Sequence, residues 1–192
     1  YITYLIYCWL ILTTLIILKK TWCVFIGSSH IHYRLKHKLL SELAVMIAMF
    51  ANNGKKIFPT IYKNINGINT NDNEVFTTQT LYQKKFFSLI KNGMFSVVNK
   101  PFGTAYGSRT SQPIFAGKTG TVQVRTISEN ERELGIIPNK DLPFNQRDHA
   151  LFLGFAPYKN PKIAVSVVIE HGGSGASIAA PIAKKIFKKV LL

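Results

Sequence analysis

One lysine, two threonines and two glycines stand side by side just before a run of alternating side chains. They are Gly117, Lys118, Thr119, Gly120 and Thr121, and the run that follows is Val-Gln-Val. The alternation of β-branched and polar residues predicts a β-strand. On such a strand the lysine supplies positive charge, the threonines supply hydroxyl groups, and a glycine lets another backbone lie close. These residue types predict an edge strand that binds an anionic, peptide-like ligand.

The tripeptide Gly-Lys-Thr also ends the phosphate-binding loop of many nucleotide-binding proteins. That loop needs a glycine five positions before its second glycine, where this chain has Gln112, and the next residue, Pro113, lacks an amide hydrogen. The loop also opens a helix, whereas Lys118 leads into a strand-like run. The pattern therefore argues against a nucleotide-binding loop. An ordinary basic edge strand, in which lysine discourages aggregation, remains an alternative.

The composition favours anionic partners. The chain has 192 residues, with 24 Lys+Arg against 9 Asp+Glu and a formal net charge of +15. Its length suits one domain with a sizeable core, and its charge suits a cell-wall polymer, lipid headgroups or nucleic acid. The sequence has no zinc-finger spacing and no aromatic RNA-binding strand, so nucleic acid is not predicted as a partner. Cys8 and Cys23 lie in an apolar region without clustered histidines, so no metal, cofactor or disulfide framework is predicted.

The first 18 residues contain no charged side chain. As a helix they would rise about 27 Å, close to the hydrocarbon thickness of a bilayer. We therefore predict a transmembrane helix, with a buried core helix as the alternative. The basic residues between Lys19 and Lys38 all follow this span, so the positive-inside rule would leave the remainder in the cytoplasm. Since the chain also begins with tyrosine, we expect residues 1–40 to be a hydrophobic segment with a basic tail, separate from residues 41–192.

The remaining sequence predicts helices and antiparallel strands, which is the pattern of an α+β fold. Helical periodicity appears in residues 41–50 and 81–98. Residues 150–157 and 162–170 are strand-like, and the turn residues between them predict an antiparallel hairpin. Residues 125–147 have little periodicity and predict a long loop. A C-terminal helix is predicted with one apolar face, formed by Ile178, Ile182, Ile186 and Val190.

The order of these segments resembles the C-terminal half of the transpeptidase domain in the penicillin-binding proteins. It looks most like the penicillin-binding protein 2 group, the class B enzymes of rod-shape elongation. The matching stretches are individually weak but specific together, and they cover most of residues 41–192. They include Leu-Ala-Val-Met at 43–46, Ala-Asn-Asn-Gly at 51–54, Gly-Thr-Ala at 103–105, Gly-Lys-Thr-Gly-Thr-Val-Gln-Val at 117–124, Arg-Asp-His at 147–149, Phe-Ala-Pro-Tyr at 155–158 and Glu-His-Gly-Gly at 170–173.

In that family the lysine-threonine-glycine strand forms one wall of the catalytic cleft. The resemblance implies that Lys118 places positive charge near the nucleophile and the terminal carboxylate of the substrate. It implies that Thr119 and Thr121 offer hydroxyl groups to that carboxylate, and that Gly120 lets the substrate backbone lie against the strand. The amide of Thr121 would form half of an oxyanion hole. The implied ligands are a peptidoglycan stem peptide or a β-lactam.

The resemblance also implies a place in the cell. Penicillin-binding proteins of this group sit in the bacterial inner membrane with the transpeptidase part in the periplasm, and the implied partners are proteins of the elongation complex. The positive charges that follow the predicted membrane span conflict with this orientation.

Acyl transfer in this family requires two further motifs, Ser-x-x-Lys and Ser-x-Asn, both N-terminal to the lysine strand. The one Ser-x-x-Lys, from Ser88 to Lys91, lies close to Lys118 in a segment that resembles a non-catalytic helix. We interpret Ser88 and Lys91 as ordinary exposed helix residues. The one Ser-x-Asn, from Ser128 to Asn130, follows the strand and is predicted to be part of a loop. We therefore predict no catalytic nucleophile in this chain and expect an inactive fragment.

Two other functions stay open. The chain could be a membrane-anchored, non-enzymatic module that binds peptidoglycan or a partner protein through its basic surface. It could also be one half of a split transpeptidase, with the serine motif on a second chain. A proteolysis-resistant core would favour the first, and an upstream coding sequence with both serine motifs would favour the second.

Overall fold

The computed structural model describes residues 15–17, 22–26, 33–55, 64–65, 68–69 and 81–192 of the chain. The strands within these ranges are β1 Leu15–Ile17, β2 Trp22–Ile26, β3 Asn64–Ile65, β4 Ile68–Asn69, β5 Ala116–Val122, β6 His149–Ala156 and β7 Ile163–Ile169. The α-helices are α1 Tyr33–Ala51, α2 Leu81–Asn99, α3 Glu129–Leu134 and α4 Ala180–Leu191.

Five of the strands form one sheet in the order β1-β2-β7-β6-β5, and β3 and β4 form a separate pair. Strands β5, β6 and β7 pair antiparallel, which confirms the predicted hairpin and the antiparallel arrangement of these strands. Strand β2 differs, because it lies parallel to β7 with Trp22 opposite Ile163. The sheet is therefore mixed, whereas the sequence predicted an antiparallel one.

Helices cover both faces of the sheet and form two apolar cores. On one face α4 packs against β6 and β7, and the rings of Phe115 and Phe187 lie 5.1 Å apart. On the other face α1 and α2 pack against β5, β6 and β7, with Ala48 and Met94 in a cluster with Phe155. The small residues of α1 let that helix approach the sheet closely. This arrangement confirms the predicted α+β class.

The N-terminal hydrophobic segment does not form the predicted helix where the structure describes it. Leu15–Ile17 is strand β1, which pairs antiparallel with β2. The remainder of the predicted membrane span, residues 1–14 and Leu18, lies outside the described residues. No helix in the described ranges is both long enough and apolar enough to cross a bilayer. A short run of Leu, Ile and Thr suits a strand as well as a helix, and pairing with β2 satisfies its backbone.

The helix predicted for residues 41–50 begins earlier, at Tyr33, and ends at Ala51. It therefore crosses the boundary expected between residues 40 and 41. Its end is as predicted, because Asn53 and Gly54 adopt positive φ angles of 53° and 93°. The amide of Gly54 returns to the carbonyl of Met49 at 2.8 Å, which is the backbone geometry that commonly terminates a helix.

The predicted apolar face of α4 is only partly correct. Ile182 and Ile186 are partly buried and pack against the core, whereas Ile178 and Val190 are 41% and 44% exposed. The fully buried residues of the helix are Ala180, Ala183 and Phe187. The alanines allow close approach to the strands, and Phe187 fills the space that remains. A π-helical turn, Gly175–Ala179, leads into the helix.

Candidate functional site

The lysine-threonine-glycine residues lie on β5, the last strand of the sheet. β5 pairs with β6 alone among the described strands. Lys118 lies opposite Leu153 and Thr121 lies opposite Ala150 in this pairing. An edge strand presents unpaired amide and carbonyl groups along its outer side. The structure therefore brings together all four predicted site residues on a strand with one free edge.

Side chains alternate across this strand, so Lys118 and Thr119 point to opposite faces. Lys118 is exposed, and its Nζ donates a hydrogen bond to the carbonyl of Thr119 at 2.7 Å. Within the described ranges no carboxylate pairs with this ammonium group. Its positive charge is therefore available to an anion from outside.

Thr119 has a partner that the sequence did not predict. Its hydroxyl lies 2.8 Å from the hydroxyl of Thr104. Thr104 belongs to the loop that connects α2 to β5, and it forms part of the Gly-Thr-Ala stretch that carried the family resemblance. The contact restricts the rotation of both hydroxyls, so it orients Thr119 at the edge of the strand. The resemblance of this stretch was the only signal that could have indicated it.

The backbone of the α2–β5 loop holds Thr104 in place. The amide of Ala105 donates to the carbonyl of Val97 at 3.0 Å. Gly103 fits tightly here, because a Cβ at this position would lie 2.2 Å from the same Val97 oxygen. Asn99 ties the end of α2 to the start of β5, since its Nδ2 donates to the carbonyl of Phe115 at 2.9 Å.

The turn before α4 supports the middle of the site strand. A Cβ at Gly175 would lie 2.3 Å from the carbonyl oxygen of Gly120 and 2.4 Å from that of Leu151. The two backbones are therefore in direct contact, and only glycine fits between them. Gly117 has a similar packing role, because a Cβ there would lie 2.2 Å from the ring of Phe152. Gly103, Gly117 and Gly175 thus allow the close packing of the site strand and of the backbone segments beside it.

A polar network fixes the chain where it leaves β5. The carboxylate of Asp148 accepts hydrogen bonds from the amide of Val124 at 3.2 Å and from Nδ2 of Asn139 at 2.9 Å. Asp148 lies in the Arg-Asp-His stretch of the resemblance, but its role was not predicted. These hydrogen bonds connect the start and the end of the segment 125–147, the predicted long loop, to each other. Its ends are therefore anchored beside the site.

An ion pair stabilises the conformation of the segment 125–147 itself. Nη1 of Arg125 donates to Oε2 of Glu131 at 2.6 Å, and Nη2 contacts Oε1 of the same carboxylate. The hydrogen bonds from Arg125, with a smaller contribution from the amide of Ile137, lower the pKa of Glu131 to about 2. Glu131 lies in α3, which the sequence predicted as loop. Ser128 caps this helix by accepting from the amide of Glu131 at 3.2 Å, so the Ser-x-Asn match forms the start of a helix.

The Ser-x-x-Lys match lies on α2, away from the site strand. Ser88 is exposed as predicted, but Lys91 is half-buried rather than exposed. Nζ of Lys91 donates to Oδ1 of Asn53 at 3.1 Å and to the carbonyl of Ala51 at 3.4 Å. Its ammonium group therefore turns to the end of α1 and not to β5. Among the described residues no cluster of His, Cys, Asp and Glu could hold a metal ion.

Comparison with known proteins agrees with this geometry. Residues 40–188 match the family described as the penicillin binding protein transpeptidase domain. The chain belongs to this family. The match includes the whole of β5, the loop with Thr104 and the turn at Gly175, so the candidate site residues described above fall inside it.

Several curated proteins similar to this chain are peptidoglycan D,D-transpeptidases of the penicillin-binding protein 2 type. The peptidoglycan D,D-transpeptidase MrdA of Haemophilus influenzae is 35% identical over 154 residues, which are 76% of this chain and 22% of that protein. The MrdA protein of Salmonella typhimurium is 39% identical over 102 residues, 53% of this chain and 16% of that protein. This chain thus spans about a fifth of the length of these curated relatives.

Solved structures of penicillin-binding protein 2 share the fold. The Pseudomonas aeruginosa protein in complex with WCK 5153 is 34% identical, with a TM-score of 0.58 over 77% of this chain and 28% of its own. The Helicobacter pylori protein in complex with MreC is 29% identical, with a TM-score of 0.60 over 77% of this chain and 24% of its own. The chain is therefore a segment similar to the transpeptidase domain of penicillin-binding protein 2.

Proposed function

We propose that this chain forms the carboxylate-binding wall of a peptidoglycan D,D-transpeptidase of the penicillin-binding protein 2 type. The observation that carries the proposal is the free edge of β5, where Lys118, with no carboxylate partner among the described residues, is followed directly by the oriented Thr119. The ligand is a peptidoglycan stem peptide or a β-lactam that resembles it. Both present a carboxylate next to an amide, which an edge strand and an ammonium group recognise together.

Each site residue then has a separate role. The terminal carboxylate lies at the free edge of the strand, where Lys118 attracts it from one face and the hydroxyls of Thr119 and Thr121 donate hydrogen bonds to it from the other. Gly120 leaves room for the peptide backbone to lie along the strand. The amide of Thr121 donates one of the two hydrogen bonds that stabilise the negative oxygen of the tetrahedral intermediate.

The covalent step needs a serine that these residues do not provide. In the proposed reaction, a serine oxygen attacks the carbonyl of the penultimate D-alanine, the terminal D-alanine leaves, and an amine then attacks the ester to form the cross-link. Ser88 lines a groove beside the end of α1 and Ser128 caps α3, so we assign this role to neither. We propose that the serine lies in sequence outside these 192 residues, and that the 192-residue chain alone is inactive.

The proposed place of action is the periplasmic side of the bacterial inner membrane, where stem peptides are cross-linked. The Helicobacter pylori relative was solved in complex with MreC. We propose that the protein containing this segment likewise works with elongation-complex proteins.

Binding to the wall can be tested on the chain itself. A short peptide that ends in D-Ala-D-Ala should shift the NMR signals of the β5 amides, whereas the same peptide with an amidated C-terminus should not. Lys118→Ala should weaken binding about tenfold, because an exposed charge-assisted hydrogen bond is lost. Lys188→Ala removes an equally exposed charge on α4 and should leave binding unchanged. Equal binding of the amidated peptide would disprove the role assigned to the wall.

The covalent proposal has a separate test. A fluorescent penicillin should give no covalent adduct with the 192-residue chain. It should give one with a protein, or a pair of chains, that combines this segment with a Ser-x-x-Lys segment of the family. A serine-dependent adduct on the 192-residue chain alone would overturn the proposed division of roles.

A further inference from the structure

A second concave site lies at the other end of the sheet. It is a groove of about 840 Å³ between the end of α1, the middle of α2 and the turn from β6 to β7. Four lysines from these three elements line it, namely Lys55, Lys91, Lys159 and Lys162. None of the described residues that line the groove is acidic. The groove therefore concentrates positive charge from parts of the chain that are distant in sequence.

This groove is separate from the site strand. None of the four residues Lys118–Thr121 lines it. Lys118 lies opposite Leu153, and β6 continues from there to Ala156 before the turn begins. At the rise of a β-strand, the two sites are roughly 10 Å or more apart along the sheet.

Lys91 is the least exposed of the four lysines in the groove. Its Nζ is held by two neutral oxygens, the carbonyl of Ala51 and Oδ1 of Asn53, and it lies 5.7 Å from the centre of the Phe155 ring. No carboxylate pairs with it in the described part of the chain. Burial lowers the pKa of Lys91 because water is removed from the charged form. A bound anion would compensate for this lost solvation.

The other groups in the groove suit an anion with several oxygens. Lys159 and Lys162 are exposed on the turn and can move to meet successive charges. Asn52 and Asn160 place amide groups between the lysines, and the hydroxyl of Ser88 lies on the same wall. This gives the Ser88-to-Lys91 match a place in the molecule unrelated to acylation. Lysines act as point charges, so both phosphate and carboxylate groups fit.

We propose that this groove binds a flexible polyanionic chain that bears repeated phosphate or carboxylate groups. A flexible chain is favoured over a membrane surface because the charges lie in a concave site, which a bilayer surface cannot enter. The volume is within the range of ligand pockets, so the groove has room for several charged units of a polymer while the rest continues outside. The binding is electrostatic, so it weakens as salt rises.

The experiment measures binding of fluorescently labelled inorganic polyphosphate, and of labelled poly-glutamate, to the 192-residue chain by anisotropy. K159Q/K162Q removes two charges from the groove. The matched control, K188Q/K189Q, removes two equally exposed charges from α4. We expect the groove variant to lose about tenfold or more in affinity, and its salt dependence to fall by roughly one to two units in log–log slope. The control should change less than twofold.

A second measurement needs no variant. Bound polyphosphate should protect Lys91, Lys159 and Lys162 from acetylation more than Lys188 and Lys189. Equal weakening by both double variants, or equal protection of all these lysines, would mean that only net charge matters and would overturn the proposal. Tighter groove-dependent binding to phosphatidylglycerol vesicles than to either soluble polymer would overturn the choice of a free chain.

Discussion

Replacing Gly175 with alanine should displace the site strand β5, because Gly175 packs against its backbone. The added Cβ would lie 2.3 Å from the carbonyl oxygen of Gly120 and 2.4 Å from that of Leu151. An ordinary contact is about 1 Å longer, and both neighbours are backbone atoms of paired strands, so no side chain can rotate away. Either α4 must move off the sheet or β5 must bend at Gly120. Overpacking of this kind costs about 1–3 kcal/mol.

Gly93 provides the matched control for this substitution. It lies inside α2, and a Cβ there would meet nothing within 4 Å. Alanine is a better helix former than glycine, so Gly93→Ala should stabilise the chain by roughly 0.5–1 kcal/mol. The same chemical change should therefore have opposite signs at the two positions.

The assays are urea denaturation, which gives the free energy of unfolding, and thermal denaturation, both followed by circular dichroism for the parent chain and both variants. Gly175→Ala should lower the thermal midpoint by roughly 2–4 °C for each kcal/mol lost. In the peptide-binding experiment it should also weaken the response of the β5 amides, because Gly120 is displaced. If Gly175→Ala were as stable as the parent, or if Gly93→Ala were equally destabilising, the tight contact between the α4 turn and the site strand would be refuted.

Three further predictions concern the surroundings of the site. The pKa of Glu131 is about 2 in the folded chain and near 4.3 when unfolded, so its ion pair stabilises the fold above that unfolded value and the effect is lost as pH falls toward 2. The denaturation midpoint of E131Q should therefore vary less with pH between 5 and 2 than that of the parent, and an identical profile would contradict this. T104V should weaken D-Ala-D-Ala peptide binding several-fold, because Thr119 loses the hydroxyl 2.8 Å away that orients it, and T104S should restore binding in the same NMR titration. Phe187→Ala should cost about 3–5 kcal/mol of unfolding free energy, because Phe187 is fully buried. Phe102→Ala, at an 82% exposed position, should cost less than about 0.5 kcal/mol. Similar losses for the two variants in urea denaturation would contradict the packing of α4.

Local patterns were sufficient for several elements. The apolar, strand-like runs of β6 and β7, with turn residues between them, predicted the hairpin, and the helical period predicted α2 almost to its last residue. Asn53 and Gly54 predicted the end of α1, since both tolerate positive φ angles. In each case the interactions that form the element lie within a few residues of one another.

Predictions failed where a distant partner decides the conformation. The apolar residues Leu15–Ile17 form a strand because β2 is beside them, and β2 in turn lies parallel to β7. A sequence pattern holds no information about that pairing. The predicted apolar face of α4 was only partly correct for a similar reason, because Ile182 and Ile186 pack at the margin of the core while Ile178 and Val190 are exposed. Ala180 and Ala183 were less apolar but allowed the closer contact that buries Phe187.

The sequence by itself determined the chemistry of the site strand. The types and order of Lys118 to Thr121 are sufficient to place an ammonium group, two hydroxyl groups and a glycine at successive positions of one strand. Only the tertiary structure decided what surrounds them. It placed Thr104 against Thr119, inserted Gly175 behind Gly120, and turned Lys91 toward a separate basic groove. These contacts join residues far apart in the chain, and they depend on how helices and sheet pack together rather than on any local period.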